Sequence, residues 1–243
     1  MRKTTDINGL KDVARMMLYL PIAETELDFI VNHPVFQSPY WFDNEKIINI
    51  KDSEGAFKEA CAAYEQKIDK TEEPLMLMYI FRPSYYLTFL KFSRRFWSAN
   101  DFAKALSAAW VEEENPNGDV NVPVKLSAKW FKQCPKEALM NCEEYDAYLC
   151  LPDSFVVYRG VAIGRNPEGM SWTREFDGAE WFSKRFGADG YIIKGIAYKK
   201  DVLAYFSRRN ESEVLISACD VHDKIIIKNA DELILCYSKK RRD

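Results

Sequence analysis

The sequence predicts an α+β protein, with a helical lobe over residues 1–150 followed by a mainly β lobe over residues 151–243. Three observations predict it. Apolar residues recur at helical spacing through the first part. After Leu151-Pro152 the pattern changes to short β-branched and aromatic runs bounded by glycine and proline. No Gly/Ser-rich stretch separates the two parts, so they are expected to pack as one unit.

In the first lobe Leu10, Val13, Met17 and Leu20 fall on one helical face, and Phe57, Ala60, Cys61, Tyr64 and Ile68 repeat the pattern. SYYLTFLKFSRRFW (84–97) and SANDFAKALSAAWVEEE (98–114) predict two more helices, the second capped by Ser98 or Asn100. ENPNGD (114–119) breaks the pattern through Pro116 and Gly118. Helical character returns in KLSAKWFKQC and KEALMNCEEYDAYLC. In the second lobe the strand candidates are SFVVYRG, GYIIKGIAYKK, ESEVLISA, DKIIIKN and DELILCY. One helix interrupts them, DGAEWFSKRF (177–186), with Asp177 as its expected cap.

With 243 residues, 47% of them hydrophobic, the chain can bury a sizeable core. A net charge of −3 gives no ground for nucleic acid or an anionic membrane as partner, and the terminal KKRR reads as a solvated tail. FRPSYYLTFLKFSRRFW interleaves Arg82, Arg94 and Arg95 with aromatics, a pattern read as a packed helix pair with basic edges. No run reaches the roughly 18–20 apolar residues of a membrane helix. Asp12 and Arg15 interrupt the apolar character of the N-terminus, so no signal peptide is expected and the location is read as cytoplasmic. Six cysteines form no CxxC pair, and His33 and His222 lack ligand spacing. Reduced thiols and no metal are the expectation.

Three features of the β lobe bear on chemistry: Tyr158-Arg159-Gly160, Ser171-Trp172-Thr173 and Glu211-Ser212-Glu213. Each alone has an ordinary reading. A strand arginine pairs with a surface carboxylate, alternating hydroxyls hydrogen-bond locally, and glutamates at i and i+2 form a solvated strand face. Two carboxylates side by side also repel each other, a cost in stability unless something uses them.

Together and in this order they resemble the R-S-E class of NAD-dependent ADP-ribosyltransferases. That class carries an arginine ending its first strand, a Ser-x-Ser/Thr strand, and Glu-x-Glu entering a later strand. The run EVLI also resembles arginine-specific members. Ser171 follows Arg159 by 12 residues and Glu211 follows Ser171 by 40, and the resemblance spans the last 90 residues or so. One departure is Trp172, where the family more often has small residues; it points away from Ser171 and Thr173 and reads as a core anchor. A related His-Tyr-Glu class is set aside, because neither histidine lies where it needs one.

The resemblance implies a β core of two packed, mainly antiparallel sheets, NAD as substrate with no metal, and a macromolecular acceptor, a protein modified at arginine. It implies that Glu213 is the catalytic glutamate, bonding the ribose 2′-hydroxyl, and that Glu211 faces the nucleophile. Arg159, Gly160, Ser171 and Thr173 would hold NAD. Phe182 would stack on nicotinamide, or else belongs to an amphipathic helix core. Tyr205 and Phe206 would recognise the acceptor, ahead of Arg208 and Arg209, which either meet an acidic partner or are solvated. The lobe over 1–150 would cover the NAD cleft, bind the target, or both. An NAD glycohydrolase with water as acceptor, and a non-catalytic binding module, remain as alternatives. The encounter with the target is expected in the cytoplasm or inside a host cell. The chemistry agrees with the residue types: cleaving the nicotinamide–ribose bond develops a sugar cation that a fixed carboxylate stabilises, and a guanidinium fork matches pyrophosphate oxygens.

Overall fold

A computed structural model describes residues 2–43, 46–187, 190–208 and 212–227. The chain is α+β and divides into two compact units, Met1–Glu114 and Asn115–Asp243. The periodicity changes at residue 151, but the compact unit that holds the large sheet begins at Asn115 and includes three helices ahead of it.

In the first unit α1 (Ile7–Leu18) is capped by Asp6 and buries Leu10, Val13, Met17 and Leu18. Leu20, expected on that face, lies past the helix end and is exposed. The helices α2 (Glu54–Lys70), α3 (Pro74–Met78), α4 (Tyr86–Ser93) and α5 (Ala99–Glu112) follow. Ser98 caps α5, its hydroxyl accepting from Asp101 N at 3.2 Å. Trp97, Trp110, Phe89 and Phe102 are fully buried among these helices, each side chain worth roughly 1.5–3 kcal/mol of transfer free energy.

The expectation of helices throughout this region fails between α1 and α2. There β1 (Ala23–Glu24) pairs with β2 (Val31–Asn32), and β3 (Tyr40–Asp43) with β4 (Lys46–Asn49). Pro21, Pro34 and Pro39 exclude a helix, and Ile47 and Ile48 favour extended backbone. His33 is buried beside β2: its Nδ1 accepts from Val35 N and Phe36 N at 3.1 and 3.2 Å, and Nε2 donates to Leu20 O. Burial pulls its pKa down to about 4, so the ring is neutral.

The second unit opens with α6 (Val124–Gln133), α7 (Lys136–Leu139) and α8 (Cys142–Leu149). Asn141 and Glu144 form a capping box at the start of α8, which divides KEALMNCEEYDAYLC into two helices. Then come β5 (Ser154–Val161), β6 (Ser171–Thr173), α9 (Phe176–Lys184), β7 (Tyr191–Tyr198), β8 (Ala204–Phe206), β9 (Glu213–Leu215) and β10 (His222–Ile227). Glu175 precedes α9 as its cap residue, so Asp177, the expected cap, sits within the first turn instead. DELILCY (231–237) lies outside the described residues.

These strands form one antiparallel sheet in the order β10-β7-β5-β6-β9-β8. One six-stranded sheet stands where two packed sheets were expected, because β5 pairs on both sides, with β7 over eight residues and with β6 at Tyr158↔Thr173. Along β5, Phe155, Val157 and Val161 enter an apolar cluster with Trp172, Ile193, Ala197 and Val214. Arg159 falls in the same alternation, a cation on an apolar strand face. On the other face Tyr158 packs against Ala179, Ile192 and Phe176.

Candidate active site

Short as it is, β6 brings the three motifs together. Tyr158 of β5 pairs with Thr173, Thr173 with Glu213 of β9, and Glu213 with Phe206 of β8. These four residues form one row across four strands, and directly opposed residues project to the same face. Arg159 adjoins the row on β5 and Ser171 stands two residues before Thr173. Glu213 is half-buried at the first position of β9. Glu211 lies outside the described residues. Trp172 is 2% exposed and anchors β6 in the core, as its alternation predicts.

Arg159 is the most constrained member. It is 7% exposed; Nη1 donates to Ser171 O and Nη2 to Asn166 O, both at 2.7 Å, while Nε has no partner. Burial pulls its pKa down to about 10, against the Glu213 carboxylate and Tyr191, which hold it up, and it stays charged at neutral pH. Gly169 makes room for it: a Cβ there would lie 2.1 Å from Nη2.

Two asparagines extend this arrangement, neither of which sequence reading singled out. Asn117 sits in a 3₁₀ turn, Pro116–Gly118, inside the stretch read only as a helix breaker. Its Oδ1 accepts from Met170 N at 2.6 Å and its Nδ2 donates to Ser171 Oγ at 2.9 Å. Its carbonyl accepts from Asn166 Nδ2 at 3.1 Å. Asn117, Asn166, Arg159 and Ser171 thus close a ring of hydrogen bonds around the 162–170 loop. The only local signal is asparagine in a turn, which is ordinary turn chemistry.

The other end of β6 is open. Beyond Thr173 the strand stops, and β5 loses its neighbour on that side. A cavity of about 430 Å³ lies there, lined by Phe155, Val156 and Tyr158 of β5, Arg174 and Glu175 after β6, Tyr205 of β8, and Ser212 ahead of β9. This is within the size range of small-molecule sites. Thr173 Oγ1 accepts from Glu175 N at 3.1 Å, and Ser212 Oγ donates to Glu175 Oε1 at 3.2 Å. The arginine supplies a cation, the rings supply stacking faces, and Glu175 supplies an acceptor.

The remaining residues singled out from the sequence lie as follows. Gly160 faces α9, where a Cβ would meet Ala179 O at 2.0 Å and Ser183 N at 2.7 Å, so its bare α-carbon accommodates the helix backbone. Phe182 is half-buried against Trp181, with ring centroids 4.9 Å apart. Tyr205 is half-buried and lines the cavity. Phe206 is 1% exposed and packs on Phe131, which leaves it no surface for an acceptor. Arg208 is partly exposed and paired within the chain: Nε and Nη2 donate to Glu144 Oε1 and Oε2 at 3.2 and 3.1 Å. Glu144 is itself fully buried and also accepts from Asn141 N and Ser207 N. Arg209 lies outside the described residues.

Among the described residues no group of three or more His, Cys, Asp or Glu side chains is placed to hold a metal, and no helix is long and apolar enough to cross a membrane. No protein-family model matches the chain, and no curated protein or solved structure matches it.

Proposed function

We propose that this chain is a mono-ADP-ribosyltransferase that cleaves NAD between nicotinamide and ribose and transfers ADP-ribose to a protein, at arginine. The observation that carries the proposal is convergence. An arginine, a Ser-x-Thr strand and a glutamate, 54 residues from first to last, lie on adjacent strands joined through Tyr158↔Thr173↔Glu213, with Arg159 next to Tyr158 on β5 and alternating to the opposite face. The resemblance to an ADP-ribosyltransferase core rests on the same three strands and their order.

On this reading the C1′–N bond breaks with its electron pair leaving on neutral nicotinamide, and the ribosyl cation forms beside Glu213. A carboxylate fixed there stabilises the cation more than it stabilises bound NAD, which lowers the barrier. A guanidinium nitrogen of the acceptor then attacks C1′ and gives up its proton, the step for which Glu211 is the candidate base. Thr173, directly opposite Glu213 in the β6–β9 register, offers a hydroxyl for holding the carboxylate or the ribose. Arg159 gives one hydrogen bond from each terminal nitrogen to a carbonyl oxygen, and its Nε, which has no partner, is a further donor for a phosphate oxygen. Arg174, at the open cavity, is the second cation for that role.

The test is incubation with NAD labelled in its ADP-ribose half, with and without a cell lysate. Label should pass to lysate protein and nicotinamide should be released. Release without transfer would mean a hydrolase, and neither would refute the reading.

A further inference from the structure

Asn117 lies 54 residues ahead of Ser171 in sequence and in no motif, yet it governs that serine's polarity. Met170 N–H can only donate, so the amide atom facing it at 2.6 Å is the oxygen, Oδ1. The other amide atom, Nδ2, therefore faces Ser171 Oγ and donates to it at 2.9 Å. A hydroxyl that accepts from Asn117 must point its own proton elsewhere. Ser171 stands on the face of β6 that carries Thr173, one diagonal from Glu213 in the β6–β9 register.

We infer that Asn117 is a positioning residue of the proposed NAD-cleaving site: by donating to Ser171 Oγ it turns the Ser171 hydroxyl proton toward the Glu213 carboxylate. The inference rests on the function proposed above. Asn117 touches neither substrate nor reacting atoms. Its side chain is held from both sides, because the same amide accepts from Met170 and the same residue's carbonyl accepts from Asn166. The orientation of Ser171 is thereby coupled to the loop that also holds Arg159.

The discriminating variant is Asn117→Asp, made in the full chain. It keeps an oxygen toward Met170 and replaces the donor facing Ser171 with an acceptor, so the serine must turn its proton back toward residue 117. NAD cleavage should lose about tenfold in kcat, the worth of one hydrogen bond, with KM for NAD nearly unchanged. Lowering the pH from 7 toward about 4 should raise the variant's activity relative to the parent, because a protonated carboxyl regains a donor. A residue that only supports the fold would move the unfolding midpoint with pH and leave the kcat of the folded protein unchanged. In a Ser171→Ala background the Asn117 substitution should cost nothing more. If Asn117→Asp does not fold, Asn117→Ala takes its place in the two backgrounds, with a smaller loss expected in Ser171→Ala, where only the Met170 N contact is left to lose.

An unchanged kcat, a loss that is flat with pH, or full additivity with Ser171→Ala would overturn the inference. A parent protein that leaves NAD intact would refute the functional reading instead. The contact itself would then be decided by denaturant unfolding of Asn117→Ala, Ser171→Ala and the pair, where additive losses would overturn the hydrogen bond.

Discussion

The two ends of β6 differ in kind. At the Ser171 end, Arg159, Asn117, Asn166 and the serine share a closed set of hydrogen bonds, and the guanidinium is buried. At the Thr173 end the strand stops and leaves a cavity of about 430 Å³ bordered by rings, an arginine and a glutamate. One strand of three residues therefore separates a fixed region from an accessible one. Such a division suits a site that must hold catalytic groups still while admitting a ligand, since preorganised groups need not reorganise as charge develops. The row through Tyr158, Thr173 and Glu213 is where the two ends meet.

The largest effect should fall on that row. Glu213→Gln should reduce nicotinamide release by roughly 10²–10³-fold, the usual consequence of removing one preorganised stabiliser of a transition state, with the unfolding midpoint little changed. A variant that released nicotinamide at the parent rate would remove the catalytic assignment.

At the closed end, Arg159→Met should cost stability as well as activity. Two part-buried carbonyls, Ser171 O and Asn166 O, lose charged donors, and a loss of about 3 kcal/mol in urea unfolding is expected. A variant as stable as the parent would mean that the buried guanidinium is not structural.

Gly160→Ala probes the packing behind the row. Its methyl group would overlap the backbone of α9, so a loss of about 1–3 kcal/mol is expected, read as a lower thermal midpoint. An unperturbed midpoint would mean that α9 can shift away from β5.

The smallest change in stability belongs to the open end. Arg174→Ala should stay within about 0.5 kcal/mol of the parent, because Arg174 is exposed. It should nonetheless raise the KM for NAD or for the acceptor. If stability fell as far as in Arg159→Met, the two ends would not be the different environments described.

What the sequence revealed divides along similar lines. β5, β7, β10 and α9 were legible because each carries its own periodicity, and Trp172 was legible as an anchor from simple alternation. The small hairpins of 23–49 were not, since strands of two to four residues are too short to establish a period. In the site, Arg159 and Glu213 could be placed on strands because each adjoins a β-branched run, SFVV and VLI. The roles of Asn117, Asn166 and Glu144 were not. Each acts by polar contacts across as many as 64 residues, and such a contact leaves no mark on its neighbours in the chain. Phe206 shows the opposite error: it was assigned to the acceptor by its place beside Tyr205, but it is buried and packs on Phe131.

The capping box of α8 has a consequence for how much chain a working unit needs. Glu144 completes that box and also grips Ser207 and Arg208, the last described residues before the Glu211–Glu213 segment. Asn117 does the equivalent for Ser171. A fragment cut at residue 151 would keep every recognisable motif and lose both of these supports. The motifs are thus portable as text but not as an arrangement: the smallest inheritable piece of this site begins some 35 residues before its first strand.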